Sequence, residues 1–475
     1  MLDLVIRGNQ VVTPHGVGAW DVAIKDGKIV AVAASGTLGE SDATRTLDAT
    51  GKIVIPGGID AHIHCKWPTP VGAFSAPPVH VSRAALFGGT TMLVDFAVWN
   101  AGDTLQEAVE KREEDWRGQC HCDYAYHLLL HGAIPPDVIA QIPEMIQAGF
   151  PSVKMYTTDV RPQRADWKMN FGDIWEVLQV LARHGGIACV HAEDNDLVMH
   201  MYRKLIREGR TGFENMQEVH SSLSEDLSFR RIIRLAENVE NAALYLMHVS
   251  ARTGVQAIDE SRRKGYPIYG ETLHQYALFT SDDYRRPNGQ IYHTYPSLKG
   301  EPDHQALWEG MTETGAISTV CTDGICTPLA VKVKGSRIDD TTGGNVGVEP
   351  RLAVIYTEVV AKRGCTLGRF VDLTSTNAAR IMGLYPRKGA IAAGSDADIA
   401  ILDPSAGRAL RNEDLHESDY SPWEGYEVAA WPAITILRGK TVVENKQFYG
   451  DAKDGRRIER KIADSILSGP ACQPA

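Results

Sequence analysis

The chain has 475 residues, too long for one ordinary compact domain but suited to a barrel of roughly 250 to 400 residues with a small companion domain. Its 43% hydrophobic and 23% charged content is that of a globular protein, and no apolar run reaches the roughly eighteen residues of a membrane span. A formal net charge of −11 argues against a nucleic-acid or anionic-membrane surface and leaves a small molecule as the expected partner.

The amino-terminal MLDLVIRGNQVVTP has no basic segment leading into a long apolar one, so it does not read as a secretory signal and a cytoplasmic protein is expected. The first fifty residues read as short strands, LVIRGNQVV, VAIKDGKIVAVA and ATRTLDATGKIVIP, with turns expected at Asn9, Gly27 and Gly51. Residues 395–450 resume that texture, so residues 1–52 and 390–450 are expected to pair into one small β-sandwich domain.

Between them, eight apolar runs alternate with helical stretches: IVI (53–55), TTMLVDF (90–96), YAYHLLL (124–130), SVKMY (152–156), IACVH (187–191), ALYLMH (243–248), YPIYG (266–270) and AISTVC (316–321). Eight parallel strands with helices outside make a closed barrel, and residues 53–389 are assigned to it. The helical stretches TLQEAVEKREEDW, FGDIWEVLQVLARH and DLSFRRIIRLAENV carry apolar residues every three or four positions. The fold class is therefore α/β, a TIM-type (β/α)8 barrel with a small β-sandwich domain built from both chain ends. Residues 451–475 form a basic extension, read either as a helix packed on a neighbouring subunit or as a solvated face. The eight cysteines are irregularly spaced and read as reduced thiols; Cys120 and Cys122 lack the second pair that a structural metal site needs.

His62 and His64 follow the first apolar run in GGIDAHIHCKWP and alternate in an extended segment, so both point to one side. His191 ends IACVH, His248 ends ALYLMH and Asp323 follows AISTVCT. All five lie at the carboxyl ends of strands, the end at which barrel enzymes build their sites. Lys154 occupies the same end of SVKMY. Its ammonium has no lone pair near neutral pH, so by itself it reads as a core-rim or surface lysine.

These pieces resemble the cyclic amidohydrolases, in particular the dihydropyrimidinase and hydantoinase group. The likeness runs from about residue 1 to 450 through PGGIDAHIH, ALFGGTTMLVDF, SVKMY, VHAED, DHQALW, VGVEPRLAVIYTE, TNAARIMGLYPRKGAIAAGSDADIAILDP and SPWEGYEV. The resemblance implies two divalent metal ions, most simply Zn2+: His62 and His64 hold one with Asp323, His191 and His248 hold the other, and Lys154, as N6-carboxylysine, bridges them. It implies hydrolysis of a hydantoin, dihydropyrimidine or related cyclic ureide or imide by an activated hydroxide, with Asp323 shuttling the proton, and a homo-oligomer, a tetramer or a dimer. All six ligand positions are filled, whereas the family's non-catalytic scaffold relatives lack ligands.

The substrate side departs from the family pattern. Asp159 stands where the family has an oxyanion-stabilising tyrosine, and Tyr156 is either its substitute or a rim tyrosine. Tyr295 replaces a serine. The family's asparagine position falls on Gly343, with Asn345 close enough to restore it by a local shift, and Gly324 follows the metal-binding aspartate. Lys66 stands where dihydroorotases carry an arginine for the substrate carboxylate. It implies either an acidic or strongly polar substrate, as in a dihydroorotase- or allantoinase-like enzyme, or an ordinary salt-bridged lysine.

Overall fold

The computed structural model describes residues 1–473. Eight parallel strands lie side by side in chain order: β1 (Gly58–Asp60), β2 (Thr90–Val98), β3 (Asp123–Leu129), β4 (Ser152–Tyr156), β5 (Ile187–His191), β6 (Ala243–Leu246), β7 (Ile268–Leu273) and β8 (Ile317–Cys321). A parallel bridge between Ile63 and Gly324, just beyond the first and last strands, brings the two edges together into a nearly closed barrel. Every residue of β3 to β8 is buried, as strands covered on both faces require, which is why they read as continuous apolar runs.

The crossover helices start where their caps dictate. Thr104 and Glu107 form a capping box ahead of Leu105–Trp116, Asn170 caps Phe171–His184 and Ser221 caps Ser222–Glu237. Gly185, at φ 81°, ends the second of these helices in the left-handed conformation that glycine adopts without penalty.

A second sheet of nine strands joins the chain ends, with five strands from residues 2–56 and four from residues 399–448. Ile6, Val22, Ile24, Val54, Ile399 and Ile436 belong to a core of its own, separate from that of the barrel. The run at 53–55 belongs here: Ile53–Pro56 pairs with Leu2–Thr13 on one side and Ile399–Asp403 on the other. The barrel opens instead on Gly58–Asp60. A Cβ on Gly57 would fall on the Thr91 side chain, so a glycine is what lets the chain step between sheets beside β2. Gly27 and Gly51 turn as expected, at φ 75° and 78°, but Asn9 lies inside the first strand, where the register skips between Gly8 and Val11.

The carboxyl-terminal segment is neither a long helix nor a solvated face; within it only Asp464–Leu467 is helical among the described residues. It runs extended along the barrel, with Ile458 N donating to Tyr124 O at 2.8 Å and the alternate residues Ile458, Arg460 and Ile462 buried. A buried alternation of this kind has the period of a strand, not of a helix. The eight cysteines are free and seven are buried; the Cys120 thiol donates to the Cys122 carbonyl at 3.0 Å. Among the described residues, no helix is long and apolar enough to cross a membrane.

Candidate active site

At the carboxyl end of the barrel, His62, His64, Lys154, His191, His248 and Asp323 line one pocket. They come from five strands or the turns just after them. Lys154 lies within β4 and His191 ends β5, whereas His248 and Asp323 sit two residues past β6 and β8. His248 and Asp323 have φ of 43° and 49°. Non-glycine residues enter this region at a cost of about 1 kcal/mol or more, and they do so where the surrounding structure aims a side chain at a site.

Asp60, His62 and His64 alternate along the exit of β1. The Asp60 carboxylate accepts from Thr322 Oγ1 at 2.6 Å, which ties that exit to the turn that carries Asp323. Asp323 Oδ1 lies 3.1 Å from His62 Nε2 and 3.0 Å from His64 Nε2, while Oδ2 accepts from Thr294 Oγ1 at 3.2 Å. Behind His62, Nδ1 meets Glu271 Oε1 at 2.6 Å, and Glu271 also accepts from Tyr245 at 2.8 Å. His191 is backed in the same way by Glu193, at 2.8 Å from Nε2. The His191 and His248 rings are 4.4 Å apart between centroids, and His248 is 5.5 Å from His62. Phe96 stacks on His64 at 4.5 Å, behind the pocket lining.

The buried groups of the site shift one another in opposite directions. Burial opposes protonation of His62, but Glu271 and Asp323 outweigh it and lift the ring to about 9. Asp323 is itself held well below the usual carboxylate range, because His62 and His64 outweigh its burial. Elsewhere burial prevails: it lowers His64, takes His191 down to about 4 and puts His248 well below the usual imidazole range. These rings are neutral donors. Donor atoms of His62, His64 and Asp323 lie within 4.8 Å of one another, and nitrogen donors with a carboxylate suit a divalent transition metal. A second cluster, Asp123, Asp396 and Asp398, does not offer such a place, since the Lys388 ammonium reaches all three carboxylates at 2.5 to 2.9 Å.

Lys154 is 1% exposed, and its Nζ meets Met247 Sδ at 2.8 Å with no carboxylate in ion-pair contact among the described residues. Burial brings it down to about 8, against the opposing pull of Asp323 and Glu271. Burial thus shifts the balance toward the neutral amine, the form that reacts with carbon dioxide.

The remaining sequence candidates divide. Tyr156 and Tyr295 line the pocket. Asn345 is fully buried beside Gly344 of the pocket wall, and neither atom of its side-chain amide has a partner. Asp159, at the family's tyrosine position, is not in the pocket lining; its carboxylate accepts from Trp167 N at 2.9 Å and Lys168 N at 2.8 Å and folds its own loop. Lys66 is not in the pocket wall; it is half exposed and paired with Asp115 at 2.5 Å. Tyr295 and Gly343 explain one another, since a Cβ on Gly343 would fall on the Tyr295 ring.

Sequence reasoning missed Glu193, Glu271, Arg161 and Arg164. Glu193 had a legible signal, standing two residues after His191 and so on the same side of an extended segment. Glu271 had a weaker one, as a carboxylate inside an otherwise apolar strand. The two arginines lie in the irregular stretch VRPQRADW, which offers no periodicity to read.

The sequence profile of the amidohydrolase family matches residues 53–442. The chain is 32% identical to the D-hydantoinase of Geobacillus stearothermophilus over 98% of both chains, and 32% identical to the D-hydantoinase of Ralstonia pickettii over 97% of this chain and 99% of that one. Among solved structures it superposes on the dihydropyrimidinase of Brevibacillus agri NCHU1002 with a TM-score of 0.91 at 31% identity, covering 98% of this chain and all of the other. The L-hydantoinase of Arthrobacter aurescens superposes with a TM-score of 0.85 at 26% identity, over 97% of this chain and all of that one.

Proposed function

The chain belongs to the amidohydrolase family, and from that membership we propose that its pocket opens a cyclic amide, a hydantoin, dihydropyrimidine or related ureide, by metal-dependent hydrolysis of a ring C–N bond. The observation that carries the reading is the convergence of six buried groups, from five strands far apart in sequence, on a single pocket. A non-catalytic relative would have no use for such a set. The reading includes zinc as the metal, N6-carboxylysine at 154, two or four copies in the assembly, and a small-molecule substrate met in the cytoplasm.

His62, His64 and Asp323 would hold one ion and His191 and His248 the other, with the carbamate of Lys154 between them. Formation of the carbamate joins Nζ to the carbon of CO2 with release of a proton. Two divalent ions so held would supply the Lewis acidity needed to bring water's pKa toward neutrality and to polarise a ring carbonyl. The other steps belong to the chain. Asp323 Oδ2, held by Thr294, is placed to take the proton of the attacking water and return it to the leaving ring nitrogen. Glu271 and Glu193 fix the planes of His62 and His191 from behind. Tyr156 lines the pocket two residues from Lys154 and offers its phenol O–H in place of the absent oxyanion tyrosine. Phe96 and Trp67 flank His64 and keep that wall dry.

The test is a panel of hydantoins, dihydrouracil, allantoin, dihydroorotate and simple cyclic imides, offered to protein loaded with zinc in bicarbonate. Turnover of at least one ring class, lost in Asp323→Ala, is expected. No turnover of any class by protein shown to carry metal would count against it.

A further inference from the structure

Two arginines enter the pocket with nothing to neutralise them. Arg161 and Arg164 both line it, on the segment that leaves β4. Arg161 Nη1 and Arg164 Nη2 are buried N–H groups with no acceptor among the described residues, and no carboxylate among them forms an ion pair with either guanidinium. A buried donor left unpaired is destabilising, and more so when it is charged. Two like charges on one wall add repulsion.

The fold spends backbone strain to keep them there. Val160, which also lines the pocket, takes φ 67°, where a β-branched residue is an outlier. The loop is pinned on every side: Val160 N donates to Thr158 Oγ1 at 3.0 Å, and Asp159 N donates to Asn195 Oδ1 at 3.0 Å. Asp159, two residues before Arg161, is engaged by Trp167 N and Lys168 N, and neither it nor Asp166, two residues after Arg164, forms an ion pair with these arginines. The Arg164 guanidinium lies over the Trp167 ring at 3.7 Å and over Tyr156 at 5.3 Å, flat against an aromatic wall. A guanidinium stacked on an aromatic ring can still offer N–H groups to a planar anion, and Arg164 Nη2 is the one left unpaired.

We propose that Arg161 and Arg164 recognise an anion on the substrate, and that the substrate is a cyclic amide or ureide carrying a carboxylate on the ring or one methylene away from it. The ring in this statement rests on the hydrolase reading; the carboxylate rests on the arginines alone. Lys66, turned out to Asp115, has no part in it.

Two hydantoins that differ only in charge test the proposal: 5-carboxymethylhydantoin and its neutral amide, 5-carbamoylmethylhydantoin. Their ring-opened products, N-carbamoylaspartate and N-carbamoylasparagine, give a binding readout by calorimetry that needs no turnover. In the metal-loaded wild type, kcat/KM is expected to favour the carboxylate by roughly a hundredfold, carried by KM, and the product Kd values to differ in the same direction. In the R161Q/R164Q double variant both ratios should fall to about threefold or less, with R161K/R164K in between. Equal turnover of the two rings by the wild type would overturn the inference and leave the hydrolase reading standing. So would a variant that lowers kcat on both rings alike, since the arginines would then act at the scissile carbonyl. If neither ring opens, the product Kd values decide: discrimination that disappears in the double variant upholds the anion wall, absence of discrimination overturns the inference, and the hydrolase reading is decided separately by the ring panel above.

Discussion

Glu193 Oε2 lies 2.8 Å from Nε2 of His191, so this ring can present only Nδ1 to the pocket. The second carboxylate oxygen is 2.8 Å from His220 Nδ1, and His220 Nε2 is 3.0 Å from the Tyr202 hydroxyl, which makes a buried chain that fixes the ring plane. Burial works against the Glu193 charge, yet His220 and His191 hold its carboxyl well below the usual range. Glu193→Gln keeps the volume and loses the charge. Metal affinity should fall by about ten- to a hundredfold, with activity recovering at high metal concentration. Equilibrium dialysis against graded zinc, with activity read at each point, checks this.

The contact between Tyr295 and Gly343 makes a steric prediction. Gly343→Asn puts a side chain onto the Tyr295 ring, and overpacking of this kind costs about 1 to 3 kcal/mol. Combined with Tyr295→Ser, which restores the family's usual pair, part of that loss should return as a coupling of roughly 0.5 kcal/mol or more. Urea denaturation of the two single variants and the double variant measures it; strictly additive losses would show that the two positions are independent.

Lys66→Ala should leave KM within about twofold of the wild type and stability within ~1 kcal/mol, as befits a half-exposed pair with Asp115. A large rise in KM would put the ammonium back in the pocket.

The active-site end of the barrel was largely legible because strand periodicity is simple. His62 and His64 alternate, and His191 closes a strand whose every residue is buried. Where two sheets compete for a short apolar run, periodicity is silent: Ile53–Pro56 suits a covered strand in either sheet, and only its partners place it beside Leu2–Thr13 and Ile399–Asp403. The arginine-rich tail misled for a different reason. Arg460 reads as solvated but is buried, donating to Ser152 Oγ at 2.8 Å and to the Tyr126 and Met382 carbonyls. Arg161 and Arg164 were invisible because their significance lies in the partners they lack, which only three dimensions reveal.

Stability should also depend on pH through Glu417, whose carboxylate accepts from Gly347 N at 2.8 Å and so pins the loop that follows the pocket's Gly343 and Gly344. Burial pushes Glu417 up to about 8, reinforced by Glu349, against the pull of its backbone donors. The folded-state pKa lies above the ordinary 4.5, so the fold binds the proton more tightly than the unfolded chain does. The contribution is full below the unfolded value and is lost as pH rises from there through the folded one, with a slope of at most about 1.4 kcal/mol per pH unit. Glu417→Gln should flatten the fall in urea midpoint between the two pKa values; an unchanged profile would assign the fall elsewhere.

Titration of chelated protein with zinc in bicarbonate, following ring opening and bound metal together, tests the central claim most directly. Activity should be absent without metal, climb to a plateau at two equivalents per chain, and fail to appear in Lys154→Ala. Full activity in the chelated protein, or a plateau reached with no dependence on Lys154, would contradict it.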